Sequence, residues 1–562
     1  MSATSSGAPK LPPFRWLAVL DGTKALNRDL IGGKAWSINW MHSLGLPVPP
    51  AMTLTTEAYA RSDAAGGLPD ELWREVVVAM GYLESATGKR FGSNSNPLLV
   101  SVRSGAAESM PGMMDSILNL GNTASICGSL AARMGNPEFA EQCLTLFREQ
   151  YRRLVLQDES VDVPDDVWQQ LRGAINAVFA SWHSARAKTY RQHHHLSDLA
   201  GTSVTIQAMV FGNLDENSGS GVMFTRDPST GDPRPYGQWL RRAQGEDIVS
   251  GRKAPSPLGT LRQLLSAVYA QLLAAGALLE SRAGDVQDIE FTIECGRLWM
   301  LQARRAKRSA RAAAEFAVQL CAEGVIDVDD ALRRVTPDQA RQLLRPELDP
   351  QALGAARIAA AGEPASPGIA SGVVVTCADD AVNREESGVI LARPTTSPED
   401  IHGMLAARAV ITEVGGATSH AAVVSRELGV PCVVGCGGNS LMHLEGQEIT
   451  VDGGSGRVYY GRLPLRGVDE GEDPAVRTLI EWAQTKSPLT VMPLSAVEAL
   501  GAHDIGTLDG DLDRRLRGIG SAYGAALESD EGVARAIRAG VSAICVRHRL
   551  PALLAALSGR RS

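Results

Sequence analysis

The chain has 562 residues, 44% hydrophobic and 21% charged, with a formal net charge of −8 at pH 7. That is globular composition, which excludes wholesale disorder, and the acidic balance argues against a dedicated nucleic-acid binder. At roughly 150 residues per domain the length suggests three or four domains. No apolar run reaches the ~18 residues of a membrane span. Residues 1–14 lack an apolar signal core and read as a short flexible tail. The eight cysteines are scattered and read as thiols in a reducing cytoplasm; the lone Cys432-x-x-x-Cys436 pair is too weak to indicate metal. The 57 glycines imply several tight backbone loops.

The apolar spacing of residues 71–88 predicts a helix. LLVSVRSG (98–105) reads as a short strand entering a glycine turn. Long amphipathic helices are expected over 141–156 and 167–191. TSVTIQAMVFG (202–212) and GSGVMFTRD (219–227) alternate like paired strands. Asp227-Pro228 reads as a turn. Residues 288–304 read as a hairpin turning at Cys295-Gly296, and 309–323 as an Ala-rich helix. The Pro/Gly/Ala-rich stretch 341–364 reads as a linker. Residues 365–461 read as a compact unit of short strands and helices. A second polar linker is expected over 462–474, and β/α alternation over 475–562.

The most informative segment is TEVGGATSHAAVVSRELGVPCVVG (412–435). Gly415 and Gly416 permit a tight loop. Thr418 or Ser419 can cap a helix starting near His420, and Gly429 can end it. A helix N-terminus offers free N–H groups and a positive dipole end to a phosphoryl group. A histidine there can act as a nucleophile through a neutral ring nitrogen. Read alone, a GGxxSH sequence is a capping serine followed by a surface histidine. The whole segment, however, resembles the phosphohistidine signature of the phosphoenolpyruvate-utilising enzymes.

Further motifs resemble the pyruvate phosphate dikinase branch of that family rather than the phosphoenolpyruvate synthase branch. They are IGGKAWSINWMHSLGLPVPPAMTLTTEAY (31–59), LLVSVRSGAAESMPGMMDSILNLG (98–121), residues 211–251 with FTRDPSTG and AQGED, and QDIEFTIECGRLWMLQAR (287–304). The similarity runs from about residue 20 to about 461. It implies a two-lobed ATP-grasp-type nucleotide-binding region over 15–340 and a swivelling β/β/α phosphohistidine domain over 365–461. A short β/α segment, 475–562, follows. The fold class is thus α/β and α+β, multidomain.

By resemblance, Lys34 and Arg103 meet phosphate, and Gly112 and Glu246 contact nucleotide. Glu290 and Gln302 hold Mg²⁺, with Gln302 and Arg304 also meeting nucleotide, and Arg304 and Arg103 act in catalysis. The physics agrees. Lys34 follows two glycines and is a compact point charge. Arg103 ends a strand and can fork onto phosphate oxygens. Ser109–Asp115 is a Pro/Gly loop suited to closing over terminal phosphates. Glu290 and Gln302 offer oxygen ligands on neighbouring strands. Arg304 can neutralise charge on a transferred phosphoryl group. Taken singly, each of these charges reads as solvated surface, and the SGSG run (218–221) as a flexible turn. Their order along one dikinase-like chain favours function. The run His193, His194, His195 reads as solvated surface and Cys432 as core packing.

The sequence departs from the family pattern in places. Ala35 stands for Gly, Trp36 and Trp40 replace smaller or acidic residues, Val414 stands for Arg, and Ala417 for Met. The family's pyruvate and phosphoenolpyruvate site lies in a C-terminal barrel, and a barrel needs ~250 residues. After Gly461 only 101 residues remain, and RHRLP (547–551) stands where the family's substrate motif is expected. The resemblance implies a carrier mechanism: His420 takes a pyrophosphoryl group from ATP, releasing AMP, and phosphate then leaves phosphohistidine and pyrophosphate. Three readings stay open. The chain is a dikinase whose acceptor step uses a barrel from another chain, a phosphohistidine transferase to a different acceptor, or a nucleotide-binding regulator without turnover. Thr418 is a regulatory phosphorylation candidate by resemblance, and a simple helix cap otherwise. No nucleic-acid or membrane partner is expected.

Overall fold

The computed structural model describes residues 13–108, 110, 116–193, 196, 198–245, 255–345, 347–416, 418–467 and 469–558. The chain forms two compact units. One contains 1–223, 237–279 and 288–304; the other contains 224–236, 280–287 and 305–562. Among the described residues no helix is long and apolar enough to cross a membrane.

The first unit is built on two five-stranded sheets. The strands of the first are β1 (Leu17–Val19), β2 (Ala51–Leu54), β3 (Val100–Gly105), β4 (Ser116–Leu120) and β5 (Ser203–Ala208), in the order β1-β2-β5-β3-β4. All neighbours in this sheet run antiparallel. The second sheet joins β6 (Gly219–Phe224), β7 (Tyr236–Arg241), β8 (Ser256–Pro257), β9 (Gln287–Glu294) and β10 (Arg297–Arg305), in the order β8-β7-β6-β9-β10. The hairpin between β9 and β10 turns where expected. Cys295 and Gly296 both have positive φ, 49° and 75°, the backbone that a two-residue hairpin turn with right-handed twist requires.

Two expectations change here. Residues 203–208 and 219–224 alternate as strands do, but they belong to different sheets. Alternation identifies a half-buried strand without naming its partner. The SGSG run (218–221) is not a free turn either. A Cβ at Gly219 would lie 2.8 Å from the Trp239 ring, and one at Gly221 would lie 2.3 Å from the Phe291 ring. Both rings are buried in the core, so these glycines make room for aromatic packing. The helix expected over 167–191 is also divided, into Val167–Ala180 and Ala185–His193. Ser184 is extended between them, with φ −59° and ψ 149°, and its hydroxyl accepts from Ala187 N–H at 3.3 Å to start the second helix.

The second unit carries an eight-stranded mixed sheet. Its strands are β11 (Ile358–Ala361), β12 (Glu363–Ser366), β13 (Ile369–Val375), β14 (Val389–Arg393), β15 (Ala409–Thr412), β16 (Cys432–Val434), β17 (Glu448–Asp452) and β18 (Arg457–Tyr460), in the order β11-β18-β17-β13-β14-β15-β16-β12. Its centre, β13-β14-β15-β16, is parallel. Val374, Ile390, Ile411, Val433, Ile449 and Val451 share its core. The stretch 341–364, expected as a linker, holds helix Pro350–Ala355 and the two strands β11 and β12. Both are edge strands, where a proline such as Pro364 is tolerated.

Arg226 ties sequence-distant pieces of this unit together. It forks onto Glu280 (2.7 Å) and Glu323 (2.6 Å) and donates to Gln319 (3.0 Å). The C-terminal segment holds a separate parallel sheet of β19 (Thr490–Pro493), β20 (His503–Asp504), β21 (Ser521–Tyr523) and β22 (Ala543–Val546), in the open order β19-β22-β21-β20.

Candidate phosphoryl-transfer site

Helix Arg28–Ser43 shows how local sequence places Lys34. Gly32 breaks the helical path with φ 79° and ψ 158°. A Cβ there would lie 2.3 Å from the Gly105 carbonyl oxygen. The missing side chain lets the chain press onto the end of β3. Gly33 N–H donates to Ala106 O at 2.8 Å, and the Ser203 hydroxyl bonds both Ile31 O (2.6 Å) and Gly105 O (2.7 Å). Lys34 therefore sits over β3, two residues from whose end lies Arg103. Trp36 and Trp40, the departures from the family pattern, stack at 5.6 Å against the core of this unit. Ala35 is fully buried.

Around Lys34 the structure gathers charge from three elements. Arg103 Nη2 lies 3.4 Å from Glu290 Oε2 on β9. Arg304 on β10 donates to Asp288 Oδ2 at 2.7 Å. Burial, then the Arg103 cation, push the Lys34 ammonium down to about 7, with Glu290 opposing and Arg304 adding to the fall. Burial works to raise the Glu290 carboxyl, but Arg103, Arg304 and Lys34 outweigh it and hold Glu290 below the ordinary carboxylate range. Gln302 is buried two positions before Arg304. Three cations and a carboxylate in a shared low-dielectric setting suit the binding of a polyanion. Gly112 and Glu246 lie outside the described residues.

Sequence reasoning passed over Asp288. Its side chain is only 4% exposed and positions Arg304. Its second oxygen, Oδ1, is buried and has no hydrogen-bond partner among the described residues. The signal was present in QDIEF, where Asp288 and Glu290 alternate onto one face of a strand. Mg²⁺ takes one or two carboxylates and completes its shell with phosphate oxygens and water. The oxygens of Asp288, Glu290 and Gln302 fit that donor set.

His420 occupies a second place prepared by topology. Parallel strands need crossovers, and β15 crosses to β16 through helix His420–Leu428. His420 thus opens a helix just beyond the carboxyl end of a parallel strand, where open α/β sheets bind ligands. The neighbouring crossover, from β14 to β15, places the 394–400 loop at the same edge. That juxtaposition brings Thr396 Oγ1 to 3.4 Å from His420 Nδ1. The loop is held by Ser397 and Asp400, which cap each other's ends, and by Arg393 at 3.2 Å from Asp400. Thr396, remote by 24 residues, was not singled out from sequence.

The imidazole is 9% exposed. Its other nitrogen, Nε2, is buried without a hydrogen-bond partner among the described residues. Burial lowers the His420 pKa, with Asp400 and Glu399 opposing, so the ring is neutral at pH 7. Ser419 is the N-cap residue by backbone, yet its side chain makes no capping bond. Thr418 is buried beside it, and Ala417 lies outside the described residues. Gly415 (φ 127°) allows the turn, and Gly429 (φ 66°) ends the helix in the left-handed conformation. A neutral, desolvated nitrogen at a helix N-terminus is chemically a phosphoryl acceptor.

Two family profiles match the chain. "Pyruvate phosphate dikinase, AMP/ATP-binding domain" covers residues 64–258, and "PEP-utilising enzyme, mobile domain" covers 385–456, which contains His420. The chain is 39% identical over 502 residues to pyruvate, phosphate dikinase 2 of Oryza sativa subsp. japonica, covering 79% of this chain and 56% of the relative. It is 38% identical to the pyruvate, phosphate dikinase of Rhizobium meliloti (strain 1021), covering 86% of this chain and 62% of the relative. Against that of Clostridium symbiosum it is 37% identical, covering 88% of this chain and 64% of the relative. The chain thus spans less than two thirds of the length of these relatives. Lys34, Glu290 and Arg304 lie outside the matched nucleotide-domain range, and their grouping rests on geometry. With this identity over most of its residues, and with the mobile-domain histidine at a helix N-terminus, the chain belongs to the pyruvate phosphate dikinase family of phosphoenolpyruvate-utilising enzymes.

Proposed function

We propose that the chain catalyses the ATP- and phosphate-dependent phosphorylation of His420, the first half of dikinase chemistry. The observation that carries this reading is the setting of His420: buried, with Nδ1 facing Thr396 and Nε2 without a hydrogen-bond partner among the described residues, where burial lowers its pKa. Nε2 attacks the β-phosphorus of ATP, the bond from β-phosphorus to the α-bridging oxygen breaks, and AMP leaves. Inorganic phosphate then takes the γ-phosphoryl group, releasing pyrophosphate and leaving phosphohistidine.

Lys34 and Arg103 bind the polyphosphate, Arg304 offsets charge on the transferred group, and Asp288 orients Arg304. Gly112 and Glu246 complete the nucleotide contacts. Glu290, Gln302 and Asp288 would hold Mg²⁺, which when bound would supply Lewis-acid neutralisation of the phosphate oxygens. The proposal requires His420 to visit the Lys34 cluster, so residues 365–461 act as a swivelling carrier, flanked by segments 341–364 and 462–474. The region 15–340 is assigned to nucleotide and 475–562 to a short β/α segment. The phosphoryl group passes to pyruvate, making phosphoenolpyruvate. Thr418, two residues from the nucleophile, is the position where added phosphate would repel the incoming phosphoryl group. All eight cysteines are free thiols, in keeping with work in the cytoplasm.

The test is to measure AMP and pyrophosphate made from ATP and phosphate, with and without pyruvate. Stoichiometric formation without pyruvate is expected. Nucleotide binding with no AMP formed would instead favour a regulator without turnover. Transfer of label from phosphorylated protein to something other than pyruvate would favour a different acceptor.

A further inference from the structure

A cavity of about 580 Å³ lies in the second unit, away from His420. One wall is the segment running from Arg305 to Ala310 with residues of 330–342; the other is the far end of the histidine helix, at Arg426, Glu427 and Gly429. Six cationic side chains line it against three carboxylates. Asp285 is 4% exposed and faces three guanidiniums: Arg305 at 2.5 Å, Arg308 at 2.7 Å and Arg334 at 3.5 Å. Arg308 Nη2 is buried and has no hydrogen-bond acceptor among the described residues. Burial depresses Arg308 and Arg334, and repulsion from neighbouring arginines adds to it, while Asp285 opposes. Of the other cations, Lys307 pairs with Glu427 at 2.7 Å, Arg333 pairs with Asp330, and Arg426 Nη1 donates to Ala365 O at 2.8 Å.

The arginines around Asp285 thus carry more positive charge than the protein neutralises. The carbonyl end of the histidine helix opposes an anion by about half a charge, less than the cationic excess. Arginine forks match phosphate oxygens in pairs, and the volume is that of a small-molecule pocket. We infer that this cavity is a second oligophosphate site, separate from the Lys34 cluster, in which Arg305, Arg308 and Arg334 grip a diphosphate group. An occupant would also lie against Arg426, on the helix whose other end carries His420.

The binding claim does not depend on turnover. The full-length chain with Lys34→Ala and Arg103→Ala removes the first cluster, and equilibrium dialysis with labelled inorganic pyrophosphate and with labelled ADP then reads the second. Binding of one equivalent is expected, weakening steeply with salt. Adding Arg305→Glu should weaken it at least tenfold. Arg305 is 69% exposed, so this change leaves the core intact, and an unchanged thermal midpoint verifies that. Equal affinity for the two probes assigns free diphosphate as sufficient; tenfold tighter ADP assigns a nucleotide. Absence of binding for both probes, or binding indifferent to Arg305→Glu, overturns the inference.

Discussion

Lys34 has a consequence that can be measured in solution. Its pKa is pushed down to about 7, chiefly by burial, far below the ordinary value near 10.5. The sign follows from linkage. A depressed folded pKa gives stability that is present above the unfolded value and lost as pH falls through about 7. At pH 8 the side chain is therefore mostly neutral in the free protein. A bound polyphosphate favours the charged form and draws a proton on. Titration calorimetry of ATP binding at pH 8, in buffers of different ionisation enthalpy, should show uptake approaching one proton. Lys34→Met should abolish the uptake and weaken binding at least tenfold. Heats independent of buffer would contradict the assignment of Lys34 to phosphate.

The residues legible in the sequence were those whose surroundings are local. His420 lies in one contiguous loop-helix segment, and a glycine pair, a cap residue and a terminating glycine within about three turns describe its setting. Thr396 was not legible, because only the parallel pairing of β14, β15 and β16 brings its loop to the imidazole. Asp288 was visible but overlooked. What marks it is its buried, unpartnered oxygen and its bond to Arg304, and neither is a property of sequence spacing.

At the scale of elements, the hairpin 287–305 and the Ala-rich helix 310–322 follow their patterns closely, while the pairing of 203–208 with 219–224 does not. Strand periodicity fixes a face, and tertiary packing chooses the partner. Gly221 tests the packing account. Its missing side chain leaves room for Phe291, so Gly221→Ala must displace a buried ring or the strand beneath it. Overpacking of this kind costs about 1–3 kcal/mol. A fall in the thermal midpoint of the first unit is expected; an unchanged midpoint would show that Phe291 rearranges freely. Gly259→Ala, at a glycine where a Cβ meets nothing within 4 Å, serves as the silent control.

For the whole molecule, the family resemblance implied a nucleotide-binding region, a histidine domain and a short C-terminal segment, and nothing in the sequence showed how distant segments combine. Residues 224–236 and 280–287 group with the second unit rather than with their sequence neighbours. Arg226 is the fastening, with two carboxylates and an amide around one buried guanidinium. Removing it leaves Glu280 without its cation, with the Thr225 hydroxyl as its remaining donor. Breaking a buried ion pair on one side costs about 3–5 kcal/mol, so Arg226→Ala should lower the denaturation midpoint of the second unit by that equivalent. Limited proteolysis should then open the chain near 224–236 first. Retention of the midpoint would show that the network contributes little to joining these segments.

His420 is the nucleophile at the centre of the proposed chemistry, and one measurement addresses it directly. ATP labelled at the β-phosphorus is given to the protein with Mg²⁺ and phosphate. The expected result is acid-labile, base-stable label on the chain, formed together with AMP and absent from His420→Ala. No label, or label that survives His420→Ala, would contradict it.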